Sequence, residues 1–162
     1  MSKTVYLDSG VIISYLRNEP GRAGVMDACL SAASKGSNEV RFVTSTISIV
    51  EVVHLAEKGE PIDSTNFRQI ELFWQTAPIS VVDVNPHVAV KARTTMQNRL
   101  LNSTQVQQPQ VRKRVHDLCH IGTALWLGAD EFWTYDGDFD KYPADGMKVT
   151  NPYTTQQLLP GL

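Results

Sequence analysis

The spacing of apolar residues along this chain switches repeatedly between the period of a strand and the period of a helix. Thr4 to Leu7 is a run of β-formers apolar enough for the middle of a sheet. Gly10 to Leu16 reads as a short helix, stopped by Asn18-Glu19-Pro20-Gly21. Arg22 to Ser34 reads as a second, with Val25, Met26, Cys29, Leu30 and Ala33 on one face. After a turn at Lys35 to Asn38, Val40 to Thr44 returns to strand. Ser45 to Lys58 predicts a third helix, ended by Gly59 with Pro61 just beyond. Ser64 to Gln75 is a fourth helix and Ile79 to Val84 a third strand. Pro86 to about Leu101 is a fifth helix, carrying Val88, Ala89, Ala92, Met96 and Leu100. Asn102 to Gln110 has four glutamines and no charge, which predicts an exposed loop. A sixth helix starts within Val111 to Asp117 and closes at Gly128. Glu131 to Thr134 is a fourth strand, and Met147 to Thr150 a fifth. Strands alternating with helices predict a three-layer α/β/α architecture around a mostly parallel sheet of about four or five strands. A single domain over residues 1–162 is the simplest organisation at this length.

Bulk properties narrow the chemistry only slightly. The net charge of −2 gives no global positive field of the kind that marks a simple nucleic-acid binder. A bound cation can nevertheless supply local positive charge that side-chain counting omits. Cys29 and Cys119 lie far apart in apolar helical settings, which predicts free thiols in a reducing compartment. The start Met1-Ser2-Lys3 leads directly into a strand, and no apolar run approaches the roughly 20 residues of a membrane span. A cytoplasmic protein with no membrane partner is expected.

The candidate chemistry lies in acids at the element boundaries. Asp8 closes the first strand, Glu51 lies early in the third helix, Asp117 opens the sixth, and Asp136 follows the fourth strand with Asp138 beside it. Each has a bland explanation. Asp8 can cap a helix, and Ser48-Ile49-Val50-Glu51 fits a capping box. Asp117 can complement a helix dipole, and Asp136-Gly137 is a turn signal. Yet Glu51 interrupts the apolar face Ile47, Val50, Leu55, where an acid needs a partner or a metal. Carboxyl ends of parallel strands are also where open α/β folds place ligands. Two carboxylates about 4 Å apart repel by roughly 4 kcal/mol at an effective dielectric near 20. Several together either take up protons or bind a hard cation such as Mg²⁺ or Mn²⁺.

Four segments, in order, carry a resemblance to a known family. They are Val5-Tyr6-Leu7-Asp8-Ser9-Gly10-Val11-Ile12, Thr44-Ser45-Thr46-Ile47-Ser48-Ile49-Val50-Glu51, His116-Asp117-Leu118-Cys119-His120-Ile121-Gly122-Thr123-Ala124, and Phe132-Trp133-Thr134-Tyr135-Asp136-Gly137-Asp138-Phe139. Together they resemble the PIN-domain family, and within it the VapC-type toxins of toxin–antitoxin pairs. The resemblance implies a Mg²⁺- or Mn²⁺-dependent endoribonuclease that leaves a 5′-phosphate and a 3′-hydroxyl. It also implies a homodimer restrained by a small antitoxin. Asp8, Glu51, Asp117 and Asp136 would be catalytic metal ligands, with Asp138 auxiliary. The chain departs from the usual pattern at Gly10, where many relatives carry Asn, and at bulky Tyr135.

Basic and hydroxyl groups nearby suggest substrate contacts. Arg112 and Arg114 precede Asp117, Arg93 and Arg99 lie on the preceding helix, and Ser9 and Thr134 flank the acids. Phosphate binding is their functional reading, ordinary surface charge the alternative. Two rival chemistries stay open. His116 and His120, at i and i+4, have the spacing of a zinc pair, with Cys119 able to add a thiolate. A PIN nuclease of RNA processing with no antitoxin, or a catalytically silent PIN scaffold that binds RNA or a partner, is also compatible with these residues.

Overall fold

The computed structural model describes residues 2–36, 40–56, 63–102, 114–142 and 145–154. The elements are β1 (Lys3–Leu7), α1 (Ser9–Leu16), α2 (Ala23–Ser34), β2 (Val40–Ser45), α3 (Thr46–Glu51), α4 (Thr65–Thr76), β3 (Ile79–Val82), α5 (Pro86–Asn102), α6 (Val115–Leu127), β4 (Glu131–Trp133), a 3₁₀ turn (Gly137–Lys141) and β5 (Lys148–Thr150). The strands form one five-stranded sheet in the order β3-β2-β1-β4-β5, and every pairing is parallel. The expected layered α/β architecture is therefore observed.

Alternation along the strands divides the core in two. Val5, Leu7, Val40, Phe42 and Trp133 face one side and pack with Val11, Ile12 and Leu16 of α1, Met26, Cys29 and Leu30 of α2, and Ile70 and Phe73 of α4. Tyr6, Val43 and Phe132 face the other side and pack with Ala92 and Met96 of α5 and Leu118, Ile121 and Ala124 of α6. The α5–α6 contact is close because Gly122 has no side chain. A Cβ there would lie 2.8 Å from Ala92 Cβ and 2.9 Å from Ala92 N. α6 ends where Gly128 turns left-handed at φ 64°, as the sequence predicts.

The chain runs outward from β1 through β2 to β3, then crosses back to β4 on the other side of β1. That reversal leaves a crevice at the carboxyl ends of β1 and β4. Asp8, Thr134 and Asp136 all follow those two ends directly.

One expected element is corrected. The third helix does not run from Ser45 to Lys58 but covers six residues, Thr46–Glu51, with Ser45 capping Ile47 N at 3.2 Å. Its supposed buried face is not buried, since Val50 is 63% exposed. Val52, Leu55 and Ala56 enter the core from irregular chain instead. Arg17 makes this possible by donating Nε to Leu55 O and Nη2 to Ala56 O, both at 2.8 Å. Those carbonyls thereby gain the partners that a helix would have given them. The predicted loop from Asn102 to Gln110 and the residues Arg112 and Lys113 lie outside the described residues, apart from the backbone of Asn102, the last residue of α5.

Candidate active site

Asp8 stands at the centre of the crevice. Its backbone N–H donates to Trp133 O at 3.0 Å, carrying the β1–β4 ladder one residue past the strand. Its side chain is buried, and Oδ2 accepts from Thr134 Oγ1 at 2.9 Å. The same Thr134 oxygen accepts from Asp136 N at 3.0 Å, so one hydroxyl ties the β4 exit to the β1 exit. Burial pushes the Asp8 carboxyl above its ordinary range; His120 and Thr134 oppose the shift, and the nearby Glu51 adds to it. Gly10 leaves that carboxylate uncrowded, because a Cβ there would sit 3.3 Å from Oδ2.

Asp117, in the first turn of α6, faces the same crevice. Burial raises its pKa, Arg114 counteracts, and repulsion from Asp8 and Asp136 raises it further. Asp8 and Asp117 therefore share one electrostatic neighbourhood, with Asp136 beside them. Asp136 itself caps the 3₁₀ turn by accepting from Asp138 N at 2.8 Å.

Glu51 reaches the crevice from α3, which is fastened to the sheet by hydroxyls. Thr44 Oγ1 donates to Leu7 O at 2.8 Å, leaving the Ser48 hydroxyl, 2.6 Å away, to donate to Thr44. Glu51 Oε2 accepts from Ser9 Oγ at 2.5 Å and from His120 Nε2 at 2.8 Å, and Oε1 meets His116 Nδ1 at 2.9 Å. Burial alone would raise this carboxyl. The bonds from His120 and Ser9 and the two imidazoles outweigh it and draw the pKa down to about 2.

His120 is almost fully buried, and its ring links the site together. Nδ1 lies 2.7 Å from Tyr6 Oη and Nε2 lies 3.8 Å from Asp8 Oδ1. Burial raises the Tyr6 phenol above its usual range, so it keeps its proton. Both ring nitrogens are thereby held, Nδ1 against Tyr6 and Nε2 against Glu51, which fixes the ring's orientation. The i, i+4 spacing of His116 and His120 was the available signal. Both rings address Glu51, and among the described residues no group of three or more His, Cys, Asp or Glu is arranged to enclose an ion.

Asp138 and Arg114 face each other at the edge of this centre, where Arg114 also acts on Asp117. Asp138 Oδ2 pairs with Arg114 Nη2 and Oδ1 with Lys141 Nζ. Bonds from Lys141 and then Arg114 hold its carboxyl below the ordinary range. The auxiliary ligand expected at Asp138 is thus occupied by two cations, and Lys141 is a partner that sequence reasoning missed.

The PIN domain model of known families matches residues 5–145. The chain belongs to the PIN-domain family. Similar solved folds include VapBC2 from Rickettsia felis bound to a DNA fragment from their promoter, at 12% identity and TM-score 0.63, covering 91% of this chain and 98% of that one. DNA-bound VapBC from Salmonella typhimurium aligns at 18% identity and TM-score 0.63, covering 93% and 98%. Mycobacterium tuberculosis VapC20, a sarcin-ricin loop cleaving toxin, aligns at 13% identity and TM-score 0.54, covering 86% and 97%. No curated protein matches the chain in sequence. At these identities the likeness concerns the fold.

The donor chemistry of this PIN domain's acids suits a hard divalent cation, although the described carboxylates are not already gathered closely enough to enclose one. Asp8, Asp117 and Asp136 offer only oxygen, and no lysine or arginine pairs directly with any of them among the described residues. Burial raises both Asp8 and Asp117, with Glu51 adding to the first and Asp8 and Asp136 to the second, which is the frustration that an added cation relieves.

Proposed function

We propose that this PIN domain is a Mg²⁺- or Mn²⁺-dependent endoribonuclease, the toxin of a VapBC-type pair. The observation carrying this reading is the electrostatic coupling of Asp117 to Asp8 and Asp136, and of Asp8 to Glu51, at the switch point of the parallel sheet. Family membership and the VapC fold neighbours support it. Asp8, Asp117 and Asp136 would hold the metal, and Glu51 would join them from its histidine clasp.

A bound divalent ion would neutralise the carboxylates and polarise the scissile phosphate for hydrolysis. The chain's own contribution is orientation. Thr134 and the β4 ladder fix the Asp8 carboxylate, so that it needs no reorganisation when charge arrives. Ser9, His116 and His120 fix Glu51. The proposal extends to a small antitoxin as partner and to a homodimer. Exposed Ile49, Val50 and Val53, on and just after α3, give a second copy an apolar face next to the site.

The test is cleavage of defined RNAs with Mg²⁺, with Mn²⁺ and with EDTA, alongside analysis of the product ends. Cleavage that needs metal, leaves 5′-phosphate ends and disappears in folded Asp8→Asn and Asp117→Asn proteins is expected. Cleavage persisting in EDTA or in both variants refutes the metal mechanism. Absence of cleavage in the wild type returns the chain to the silent-scaffold reading.

A further inference from the structure

We propose that Arg99, Arg114 and Tyr142 form an anion seat beside the carboxylates, one that takes a backbone phosphate of the nucleic-acid substrate. The substrate half of this statement rests on the nuclease reading above; the seat itself does not.

Arg99, in the last turn of α5, is only 8% exposed. Among the described residues no carboxylate pairs with it, and Nη1 is buried without a hydrogen-bond partner. What it touches is the ring face of Tyr142, with Cζ 4.4 Å from the centroid. A buried guanidinium with no counterion is strongly unfavourable, and a cation–π contact offsets only part of that cost. The orphaned donor is not isolated. Arg114 Nη1 and Tyr142 Oη are also buried, and apart from their approach to each other neither has a hydrogen-bond partner of good geometry. Arg114 and Arg99 both lie close enough to Tyr142 to stabilise its ionised form. Two guanidinium groups and a phenol thus converge with unused donors at one place.

The chemistry of these donors defines the ligand. A guanidinium donates and never accepts, so whatever satisfies the cluster must bring lone pairs and negative charge. A tetrahedral oxyanion brings both, and arginine forks match phosphate geometry. The location also fits, since Asp117 is electrostatically coupled to Arg114 and to Tyr142. An anion there borders the proposed metal centre from the α5 side. Asp138 already holds Arg114 through Nη2, showing that this arginine takes an oxyanion at its open edge. Asp138 therefore competes with the incoming phosphate for the same guanidinium.

The test uses full-length protein in EDTA with inorganic phosphate as probe, at constant ionic strength set by chloride. Thermal melts should show a saturable rise with phosphate. In Arg99→Met the apparent phosphate affinity should fall at least ~10-fold, the loss expected for a charged hydrogen bond. That variant should melt no lower than wild type without phosphate, because it removes an unpaired buried charge. Asp138→Asn should tighten phosphate by freeing Arg114. Should Arg99→Met fail to fold, Arg114→Gln and Tyr142→Phe carry the same comparison. A single-stranded RNA, uncleaved in EDTA, should displace the phosphate seen by ³¹P NMR. No saturable phosphate effect, an equal effect of chloride, or unchanged affinity in the arginine variants overturns the seat. Bound phosphate that RNA fails to displace overturns its role as a substrate site. None of these results alters metal-dependent cleavage by the wild type, so failure of the seat is separable from failure of the nuclease reading.

Discussion

Thr134→Val tests whether one hydroxyl sets up the candidate site. Valine keeps the shape of threonine, so packing around this buried position is retained. Two hydrogen bonds are lost: the 2.9 Å donation to Asp8 Oδ2 and the 3.0 Å acceptance from Asp136 N. The first is made to a buried carboxylate, and such bonds contribute about 1.5–3 kcal/mol. The second leaves a partly buried N–H that turns to solvent at a cost of about 0.5–1 kcal/mol. The added methyl returns about 0.8 kcal/mol of apolar burial. The net loss is about 1–3 kcal/mol near neutral pH, or a fall in Tm of roughly 2–4 °C per kcal/mol for a chain of this size. The loss has a pH signature. Burial places the folded pKa of Asp8 above its unfolded value, so its ionisation costs stability as pH rises through that folded pKa. Removing the Thr134 donor raises the pKa further, so the deficit grows toward neutral pH and shrinks in mild acid. Urea unfolding of the metal-free protein across this range measures it, with Thr134→Ser as the control that keeps both bonds. A Thr134→Val protein as stable as wild type at neutral pH, or a deficit that does not change with pH, would refute the reasoning.

Two further outcomes follow from the geometry. Gly122→Ala should destabilise the fold by about 1–3 kcal/mol despite alanine's better helix propensity, because the new Cβ meets the Ala92 backbone at 2.9 and 3.0 Å and backbone cannot step aside; chemical denaturation measures this, and Gly122→Ser should be at least as damaging. For Glu51, whose folded pKa of about 2 lies below its unfolded value, the contribution to stability is complete above the unfolded pKa and is lost as pH falls toward 2. Stability curves should show that acid-side loss in the wild type and a weaker one in Glu51→Gln, and parallel curves would argue against the histidine clasp.

Much of this architecture could be read locally. β1 and β4 are short apolar runs, and each ends at an aspartate or a threonine–aspartate exit that marks its own boundary. α6 carries Leu118, Ile121 and Ala124 at helical spacing and ends at a glycine that adopts φ 64°. Such signals need only the residue and its near neighbours, so sequence patterning recovers them. α3 was misjudged for the opposite reason. Ile47, Val50 and Leu55 have helical spacing, but the chain leaves the helix at Val52 because Arg17, far away in sequence, binds Leu55 O and Ala56 O. A long-range donor that replaces helical hydrogen bonds leaves no periodic trace.

The same distinction separates the parts of the site. The acids were visible because each interrupts an apolar segment or a boundary. Their states were not, because these depend mainly on partners that other elements of the fold bring alongside. Glu51 is drawn below the ordinary carboxylate range by histidines of α6, while Asp8 and Asp117, in the same crevice, are pushed above it. These three acids, alike as text, therefore divide into two kinds. Glu51 is already satisfied by protein donors, so bringing it to a cation requires releasing His116 and His120. Asp8 and Asp117 carry buried charge pushed further by neighbouring acids, and a divalent ion gains most by meeting them first. Metal affinity should accordingly fall further in Asp117→Asn than in Glu51→Gln, and the reverse order in Mn²⁺ calorimetry would show that the clasp, not the crevice pair, governs binding.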